Sequence, residues 1–257
     1  MSYLRFEQVA KIYDDGTEAV APFDFNVDEG ELIAFLGPSG CGKTTLMRMV
    51  GGLESISAGR IVLGDSVLGK PDRRRGMVFQ SYSSFPWLTV ADNVAYGMRY
   101  RRDLSPSQKA ERALHYLNIV GLTDFADSWP DRLSGGMRQR VAIARTLAAG
   151  SEILLMDEPF GALDAQRREA LQVELRRLQL EEARTIVFVT HDVEEAVFLA
   201  DRVVVFTRRP ARLLAHVNIT DQLGSQRTLS MRDSAEFFAL RTELLAHVRS
   251  TAEEVHA

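Results

Sequence analysis

Short apolar clusters bounded by turn residues alternate with stretches of helical periodicity along most of the chain. The clusters that predict strands are residues 32–36, 61–63, 77–79, 153–156, 186–189 and 203–206. The later clusters are continuous rather than alternating, which is typical of strands buried on both faces in parallel sheets. The alternation of strands and helices predicts an α/β, doubly wound core.

Helix signals separate these clusters. Ser105-Pro-Ser-Gln108 is a capping box with proline at the first helical position, and the helical spacing that follows ends near Gly121. A second helix is predicted from about residue 134 to 149, with Gly150 as its stop. A last helix is predicted from about Asp233.

The pattern also predicts how the chain is organised. Before residue 30, apolar and polar residues alternate, which predicts half-exposed antiparallel strands beside the core. Residues 87–149 carry helices and no convincing strand, as expected for a helical lobe inserted in the core. We therefore expect a single domain with a core of about residues 1–86 and 150–216, this lobe, and a helical tail at about 217–257.

Composition excludes several classes of protein. The chain of 257 residues is 46% hydrophobic and 26% charged, which excludes disorder as its dominant state. A net charge of −4 argues against a large basic nucleic-acid surface. The one cysteine excludes an intrachain disulfide and a zinc-cysteine site. No apolar run exceeds five residues and no apolar signal stretch follows Met1, so we expect a soluble, cytosolic protein.

A glycine-rich motif lies between the strand at residues 32–36 and a predicted helix. It consists of Gly37, Pro38, Ser39, Gly40, Cys41, Gly42, Lys43 and Thr44, and Thr45 opens the helix. This is the phosphate-binding pattern G-x-x-x-x-G-K-[ST], in which backbone N–H groups and a helix N-terminus receive an anion. Lys43 would reach the β and γ phosphates, and Thr44 would offer its hydroxyl to Mg²⁺. The alternative is a glycine-rich turn with an accidental lysine; similarly, Cys41 is either a low-pKa thiol or an incidental small residue.

Two adjacent carboxylates end the strand at residues 153–156. Asp157 is placed to hold Mg²⁺, and Glu158 is placed to polarise an attacking water. Adjacent carboxylates elsewhere usually form a solvated turn, but the upstream phosphate-binding motif favours the functional interpretation.

Leu133-Ser-Gly-Gly-Met-Arg-Gln-Arg140, together with the phosphate-binding motif, resembles the signature of ABC-type ATPases. The family's other short motifs also occur along the chain, in the family's order. They are a base-stacking aromatic, a Q-loop glutamine, a D-loop aspartate and a switch histidine. These are Tyr13, Gln80, Asp164 and His191. The resemblance covers roughly residues 4–210 and implies a P-loop NTPase (RecA-like) core with a mostly parallel sheet, ATP and Mg²⁺ as cofactors, and ATP hydrolysis.

The resemblance also implies roles for these residues. Gln80 would contact Mg²⁺ or water and link the site to the helical lobe, and His191 would contact the γ-phosphate. Ser134, Gly135 and Gly136 would cover the nucleotide held by a second subunit, across an interface where Asp164 communicates. The implied assembly is a head-to-tail dimer with itself or a close relative. Taken alone, Tyr13 could be a packing residue, Gln80 an ordinary strand-end residue, His191 structural and Ser134 merely a helix N-cap. Met137 replaces the usual glutamine after Ser-Gly-Gly, but the serine and the glycine backbone remain.

The stretch Phe85-Pro-Trp87-Leu-Thr-Val90 resembles importer ATPases of the nitrate, sulfonate and taurine group, where this region forms a groove for a cytoplasmic helix of the membrane subunit. The alternative is a core cluster under the helical lobe.

We therefore expect the energy-coupling ATPase of a bacterial ABC importer for a small anion, such as nitrate, a sulfonate or taurine. It would be peripheral, on the cytoplasmic face of the inner membrane. Its partners would be integral membrane permease subunits and, indirectly, a periplasmic or lipid-anchored substrate-binding protein, with no nucleic acid. The alternatives are a soluble ABC ATPase acting on nucleic acid or ribosomes, and a small-molecule kinase, which would not explain the Ser134-Gly-Gly motif.

Overall fold

The computed structural model describes residues 2–80 and 84–253. The chain forms two compact units, one of Met1–Asp72 with Arg176–Ala257 and one of Arg73–Leu175. The first contains the phosphate-binding motif and is called the P-loop unit; the second contains the Ser134-Gly-Gly motif and is called the signature unit. Within the described residues, every helix is too short or too polar to cross a membrane.

The described residues form ten strands and eight α-helices, with the following bounds. The strands are β1 Ser2–Ile12, β2 Glu18–Asp28, β3 Leu32–Leu36, β4 Ala58–Leu63, β5 Ser66–Val67, β6 Arg75–Val78, β7 Ile153–Asp157, β8 Thr185–Thr190, β9 Arg202–Phe206 and β10 Leu213–Asn218. The helices are α1 Lys43–Gly51, α2 Val90–Tyr96, α3 Pro106–Ile119, α4 Gly135–Ala149, α5 Ala165–Glu182, α6 Val193–Leu199, α7 Thr220–Leu223 and α8 Ala235–Glu253.

The P-loop unit contains parallel and antiparallel strands. β3 pairs in parallel with β8 on one side and with β9 on the other, so that Ala34 lies opposite both Phe188 and Val203. Every residue of β3 and β8 is buried, as the continuous apolar runs predict. β10 adds to β9 in the antiparallel sense.

The strands before residue 30 are antiparallel, as the alternating pattern predicts. β1 pairs with β2, with Phe6 opposite Phe25, and the full order of this sheet is β2-β1-β4-β5. Phe6 is buried and packs 5.3 Å from Phe23 and 6.3 Å from Phe35 between ring centroids. This aromatic cluster joins the antiparallel strands to the parallel strand β3, which leads into the phosphate-binding motif.

The signature unit pairs β6 with β7 in parallel, and α4 packs against β6. The predicted capping box is present, because Ser105 accepts from the Gln108 backbone N–H and the Gln108 side chain accepts from the Ser105 N–H. α4 begins after Ser134 and ends at Gly150 in the left-handed conformation, as predicted. Among the described residues of 87–149 there is no strand. The predicted fold class, an α/β P-loop core with antiparallel strands and a helical lobe, is therefore confirmed.

α5 is the longest element that the apolar pattern does not single out. Its sequence is highly charged, yet Gln172, Arg176 and Gln179 are among its most buried side chains. Arg176 donates to Asp201 at 2.6 Å, to Gln179 at 2.9 Å and to the Ser225 carbonyl. The inward face of this helix is partly polar, so its helical periodicity in hydrophobic residues is weak.

Candidate nucleotide-binding site

The phosphate-binding motif forms a loop between β3 and α1, and Lys43 is folded into it. Lys43 is 5% exposed, and its Nζ donates to the carbonyls of Gly37 at 2.7 Å and Pro38 at 2.8 Å. Cys41 is also buried, with its Sγ 3.7 Å from the same ammonium. The lysine thereby closes the loop on itself, and its charge lies at the start of α1, where the helix dipole is also positive.

Two glycines of this loop occupy positions that a larger residue could not. At Gly37, with φ +156°, an added Cβ would lie 2.8 Å from the Phe206 carbonyl oxygen. At Gly42, with φ +124°, it would lie 2.6 Å from the Ala19 oxygen and 3.1 Å from the Ala211 Cβ. The neighbouring backbone therefore leaves no room for a side chain at either position. Both the backbone angle and the lack of space require glycine.

Tyr13 and Thr45 meet beside this loop. The Tyr13 hydroxyl lies 3.2 Å from the Thr45 Oγ1 in the first turn of α1, and the tyrosine is half-buried. The predicted base-stacking residue is therefore attached to the phosphate-binding helix within the P-loop unit.

His191 is exposed immediately after β8, also within the P-loop unit. The backbone around it is fixed, because Asp192 N–H donates to Thr190 Oγ1 at 3.0 Å and Asp192 caps α6 through the Glu194 N–H at 2.8 Å. The Thr190 hydroxyl in turn donates to Glu195 at 2.9 Å. Polar contacts on both sides of the histidine thus hold its backbone at the end of a buried strand.

Asp157 and Glu158 end β7 in the signature unit, and they differ in environment. Asp157 is 4% exposed, whereas Glu158 leaves the strand with φ +47°, in the left-handed region that non-glycine residues rarely occupy. This turn directs the glutamate away from the strand, and its Oε2 accepts a 3.1 Å hydrogen bond from Gln80 Nε2. Unusual backbone angles of this kind concentrate at functional sites. The structure thus joins the predicted Q-loop residue to the predicted base.

The signature motif forms the start of α4. Ser134 is exposed and its Oγ accepts from the Met137 N–H at 3.3 Å, which is an N-cap contact. At Gly136 an added Cβ would lie 3.0 Å from the Ala162 carbonyl, so the glycine allows α4 to approach the segment that precedes Asp164. Asp164 Oδ1 accepts from the Arg167 N–H at 3.0 Å, at the start of α5.

Two further residues of the signature run have structural contacts that the motif pattern does not reveal. Gln139 is 1% exposed and donates to the Phe79 carbonyl at 3.5 Å, next to Gln80. Arg140 donates to the Val120 carbonyl at 2.7 Å, and burial lowers its pKa, with nearby Arg167 acting in the same direction. Both lie in the run Met137-Arg-Gln-Arg140, and a polar run at a helix start is ordinarily solvated. The sequence alone therefore gives no clear sign that these two polar side chains are buried.

A cavity of about 1040 Å³ opens in the signature unit, and neither Asp157 nor Ser134 lines it. Its basic lining residues are Arg73, Arg74, Arg75, Arg99, Arg101, Arg102 and Arg145. Phe85 and Tyr96 form an aromatic wall with ring centroids 4.5 Å apart, and the Arg145 guanidinium lies 5.1 Å from the Phe85 centroid. Burial lowers the pKa of Arg145.

The segment that carries Phe85 is fixed by one buried amide. Asn93 is fully buried, and its Oδ1 accepts from the Phe85 N–H at 2.7 Å. Its Nδ2 donates to the carbonyls of Phe85 and Leu88 at 3.0 Å and of Thr89 at 2.9 Å. Trp87 lies on this braced segment, 69% exposed, with its ring 5.6 Å from that of Phe85.

The predicted site residues are therefore distributed as follows. The P-loop unit contains Tyr13, the loop of residues 37–45 and His191; the signature unit contains Gln80, Ser134, Gly135, Gly136, Asp157, Glu158 and Asp164.

Comparison with known sequences gives one consistent family. The model of the ABC transporter family matches residues 20–161. An ATP-binding protein of Brucella abortus (strain 2308) is 46% identical over 94% of this chain and 91% of its own length. The nitrate import ATP-binding protein NrtD of Synechocystis is 42% identical over 92% of this chain and 90% of its own. The taurine import ATP-binding protein TauB of Rhizobium johnstonii is 41% identical over 94% of this chain and 93% of its own.

Solved structures agree with the sequence matches. A dimeric post-hydrolysis state of the ATP-binding cassette MJ0796, bound to ADP and Pi, superposes with a TM-score of 0.77 and 31% identity, over 84% of this chain and 98% of that one. Fold, motif geometry and family model agree. The chain belongs to the ABC transporter family and is one of its ATP-binding, ATP-hydrolysing subunits.

Proposed function

We propose that this protein is the energy-coupling ATPase subunit of a bacterial ABC importer for a small anion, such as nitrate, a sulfonate or taurine. The nitrate and taurine import names of its relatives support this proposal. The observation on the molecule itself that supports it best is the arginine-lined cavity beside the rigid, exposed segment of Phe85 and Trp87. The proposed location is the cytoplasmic face of the inner membrane.

For catalysis we propose the roles that the motifs imply. Residues 37–45 receive the phosphates, with Lys43 on the β and γ groups, and Tyr13 stacks on adenine. His191 contacts the γ-phosphate. Gln80 holds the Glu158 carboxylate at 3.1 Å, which supports a role in placing this general base against a water molecule.

Mg²⁺ fits the donor set that the chain offers. Thr44, Gln80 and Asp157 present a hydroxyl, an amide carbonyl and a buried carboxylate, which are the oxygen ligands that this ion prefers. When bound, the ion would neutralise charge on the phosphate oxygens. The chain's own contribution is to supply these oxygens and, through the Gln80 Nε2 hydrogen bond, to hold Glu158 in place as a base.

For assembly we propose a head-to-tail dimer, with itself or a close relative. The exposed Ser134 hydroxyl and the N-terminus of α4, with Gly135 and Gly136, form an anion-binding surface that supports contact with the nucleotide of the second subunit. Asp164 is exposed two residues after Ala162, whose carbonyl faces Gly136, and it would communicate across that interface. The dimeric state of the similar MJ0796 cassette supports a dimer of this subunit.

For coupling we propose that a cytoplasmic segment of the membrane permease docks in the arginine-lined cavity. Seven arginines against Asp103 and Glu152 leave the lining strongly positive, so the docking segment should carry at least one carboxylate. The rings of Phe85 and Trp87 would receive its apolar side chains. A substrate-binding protein, periplasmic or lipid-anchored, would act on this ATPase only through the permease.

We also propose the domain organisation that the sequence predicts. The core consists of about residues 1–86 and 150–216, the helical lobe of 87–149 and the helical tail of 217–257.

Assembly with the permease can be tested with a tryptophan pair. We expect Trp87→Ala to weaken co-purification with the integral membrane partner, by about 2 kcal/mol or roughly 30-fold in affinity, because an exposed aromatic anchor is lost. Trp129→Ala, 43% exposed in the same unit, is the matched control and should leave assembly unchanged. ATP affinity should be parental in both variants.

The same co-purification experiment distinguishes the importer subunit from the alternative function. Capture of ribosomes or nucleic acid by the parental protein, with no polytopic membrane protein identified by mass spectrometry, would favour a soluble ABC ATPase. Equal capture of the membrane partner by the Trp87→Ala and parental proteins would refute the docking surface.

A further inference from the structure

Lys11 lies buried at the end of β1, where its ammonium group is paired with a carboxylate and a hydroxyl. The side chain is 5% exposed, and its Nζ lies 2.6 Å from Glu54 Oε1 and 3.1 Å from Ser55 Oγ. The same ammonium lies over the Tyr13 ring, 4.9 Å from its centroid. Burying a lysine is costly unless its charge is paired, and this lysine has a carboxylate, a hydroxyl and an aromatic face as partners.

Tyr13 is consequently held at two points. One face of its ring is covered by the Lys11 ammonium, and its hydroxyl lies 3.2 Å from Thr45 Oγ1. The backbone of the tyrosine is also closed in a turn, because Tyr13 N–H donates to the Thr17 carbonyl and Gly16 N–H donates to the Tyr13 carbonyl, both at 2.9 Å. The ring therefore has little freedom to rotate.

These contacts attach β1 to both ends of α1. Thr45 is in the first turn of that helix, and Glu54 follows its last residue, Gly51, by three positions. Glu54 is itself tied to the helix, since its N–H and that of Leu53 both donate to the Arg48 carbonyl. Because the N-terminus of α1 is the phosphate site, Lys11 and Tyr13 are held at a set position relative to the phosphates.

We propose that Lys11 is a positioning residue for the base of ATP: its ammonium, locked by Glu54 and Ser55, covers one face of Tyr13 and presents the other face to adenine. The inference rests on the proposed stacking of adenine on Tyr13, and it adds Lys11 as the residue that fixes the position of the Tyr13 ring. A cation on one face withdraws electron density from the ring, which also favours stacking of an electron-rich purine on the other.

The test compares ATP with tripolyphosphate, which has the phosphates but no base, by titration calorimetry in the presence of Mg²⁺. Lys11→Met should weaken ATP binding about three- to tenfold and leave tripolyphosphate binding within about twofold. Lys11→Met/Glu54→Gln removes the carboxylate left behind and should give the same selective loss. Lys11→Arg, which keeps the cation, should restore most of the ATP affinity, and Lys109→Ala is the control for a lysine elsewhere.

Tyr13→Ala separates this inference from the proposal on which it rests. If that variant keeps parental ATP affinity, adenine does not stack on Tyr13 and both ideas fail. If Tyr13→Ala loses ATP affinity but either Lys11→Met variant retains it, stacking stands and the role of Lys11 is refuted. An equal loss of ATP and tripolyphosphate affinity in the Lys11 variants would also refute it, because a damaged phosphate loop, not a misplaced base, would be the cause.

Discussion

Gln80 Nε2 donates a 3.1 Å hydrogen bond to Glu158 Oε2. The glutamate leaves β7 with a left-handed φ of +47°, a conformation of the backbone that costs free energy in a residue with a side chain. The bond and the turn together fix where its carboxylate points. Both features support Glu158, rather than the buried Asp157, as the general base.

Glu158→Gln should trap the ATP-loaded dimer. The amide keeps the size of the side chain and can still bond to Gln80, but it cannot accept a proton at neutral pH. Loss of a general base should lower turnover about 10²–10⁴-fold, while ATP still binds. Size-exclusion chromatography with Mg-ATP and a phosphate-release assay measure the two effects.

The matched control for this substitution is Glu181→Gln, an exposed glutamate of α5 that pairs with Arg177. It should hydrolyse ATP at the parental rate. Parental turnover in Glu158→Gln would place the base elsewhere, and a monomer saturated with ATP would contradict closure.

Lys43→Ala should weaken ATP binding about 10- to 100-fold, because it removes the one lysine of the phosphate loop, whose bonds to the β and γ phosphates would be charge-assisted and worth about 1.5–3 kcal/mol. Titration of a fluorescent ATP analogue measures the change. Lys109→Ala, on α3, should bind normally, and equal affinity in the two variants would contradict the assignment of the loop.

Ser134→Arg should abolish hydrolysis but keep ATP binding, because the serine would act on the nucleotide of the second subunit. Ser105→Arg is the matched control, since Ser105 is also an exposed N-cap serine, of α3. Both variants lose about 1 kcal/mol of capping, but only the first should stop turnover.

Mixing Ser134→Arg with Lys43→Ala tests whether sites are shared. Half of the dimers would be mixed, each with one intact site, so activity should return to at most about a quarter of the parental value. Full recovery of activity would contradict shared sites, as would no recovery when mixed dimers are shown to form.

Asn93→Ala should destabilise the signature unit by about 1–3 kcal/mol, because half-buried backbone groups of Phe85, Leu88 and Thr89 lose their partner. Urea unfolding followed by circular dichroism measures the loss. Asn118→Ala, exposed on α3, should change stability by less than about 0.5 kcal/mol. Similar midpoints for the two variants would show that the brace is not stabilising.

Gly97→Ala should also destabilise the protein, by about 1–3 kcal/mol. Its φ is an ordinary −56°, but an added Cβ would lie 2.4 Å from the Arg145 carbonyl, where α2 and α4 pack together. Gly69→Ala is the control, because no atom lies within 4 Å of its added Cβ. Equal thermal midpoints would show that the two helices can separate at no cost.

The parts of the fold that the sequence predicts best are those with one dominant physical signal. β3 has the predicted bounds because its five residues are apolar and lie between turn residues, and α3 begins where its capping box requires. The sequence does not single out α5, because residues such as Arg176 and Gln179 are buried with polar contacts that no hydrophobic pattern reports.

The candidate site shows the same division. Lys43 and Ser134 were predicted by local motifs, since a phosphate loop and a helix cap are built from consecutive residues. The hydrogen bonds of the buried Asn93 side chain fix a loop that precedes its own helix. The ion pair of Lys11 with Glu54 joins residues that are distant in sequence. Such contacts depend on tertiary packing, so only the structure reveals them.

The cap contact of Ser134 has a consequence for the entropy of dimer closure. A serine hydroxyl has two acceptor lone pairs and one proton, and accepting from the Met137 N–H uses a lone pair only. The oxygen is thus immobilised by folding, before any partner arrives, and its proton remains available to donate. A phosphate on the second subunit would meet a donor whose rotamer entropy is already lost, so closure would require less ordering at this residue. Alanine at position 134 would remove both the cap and the preordered donor, whereas threonine could keep both.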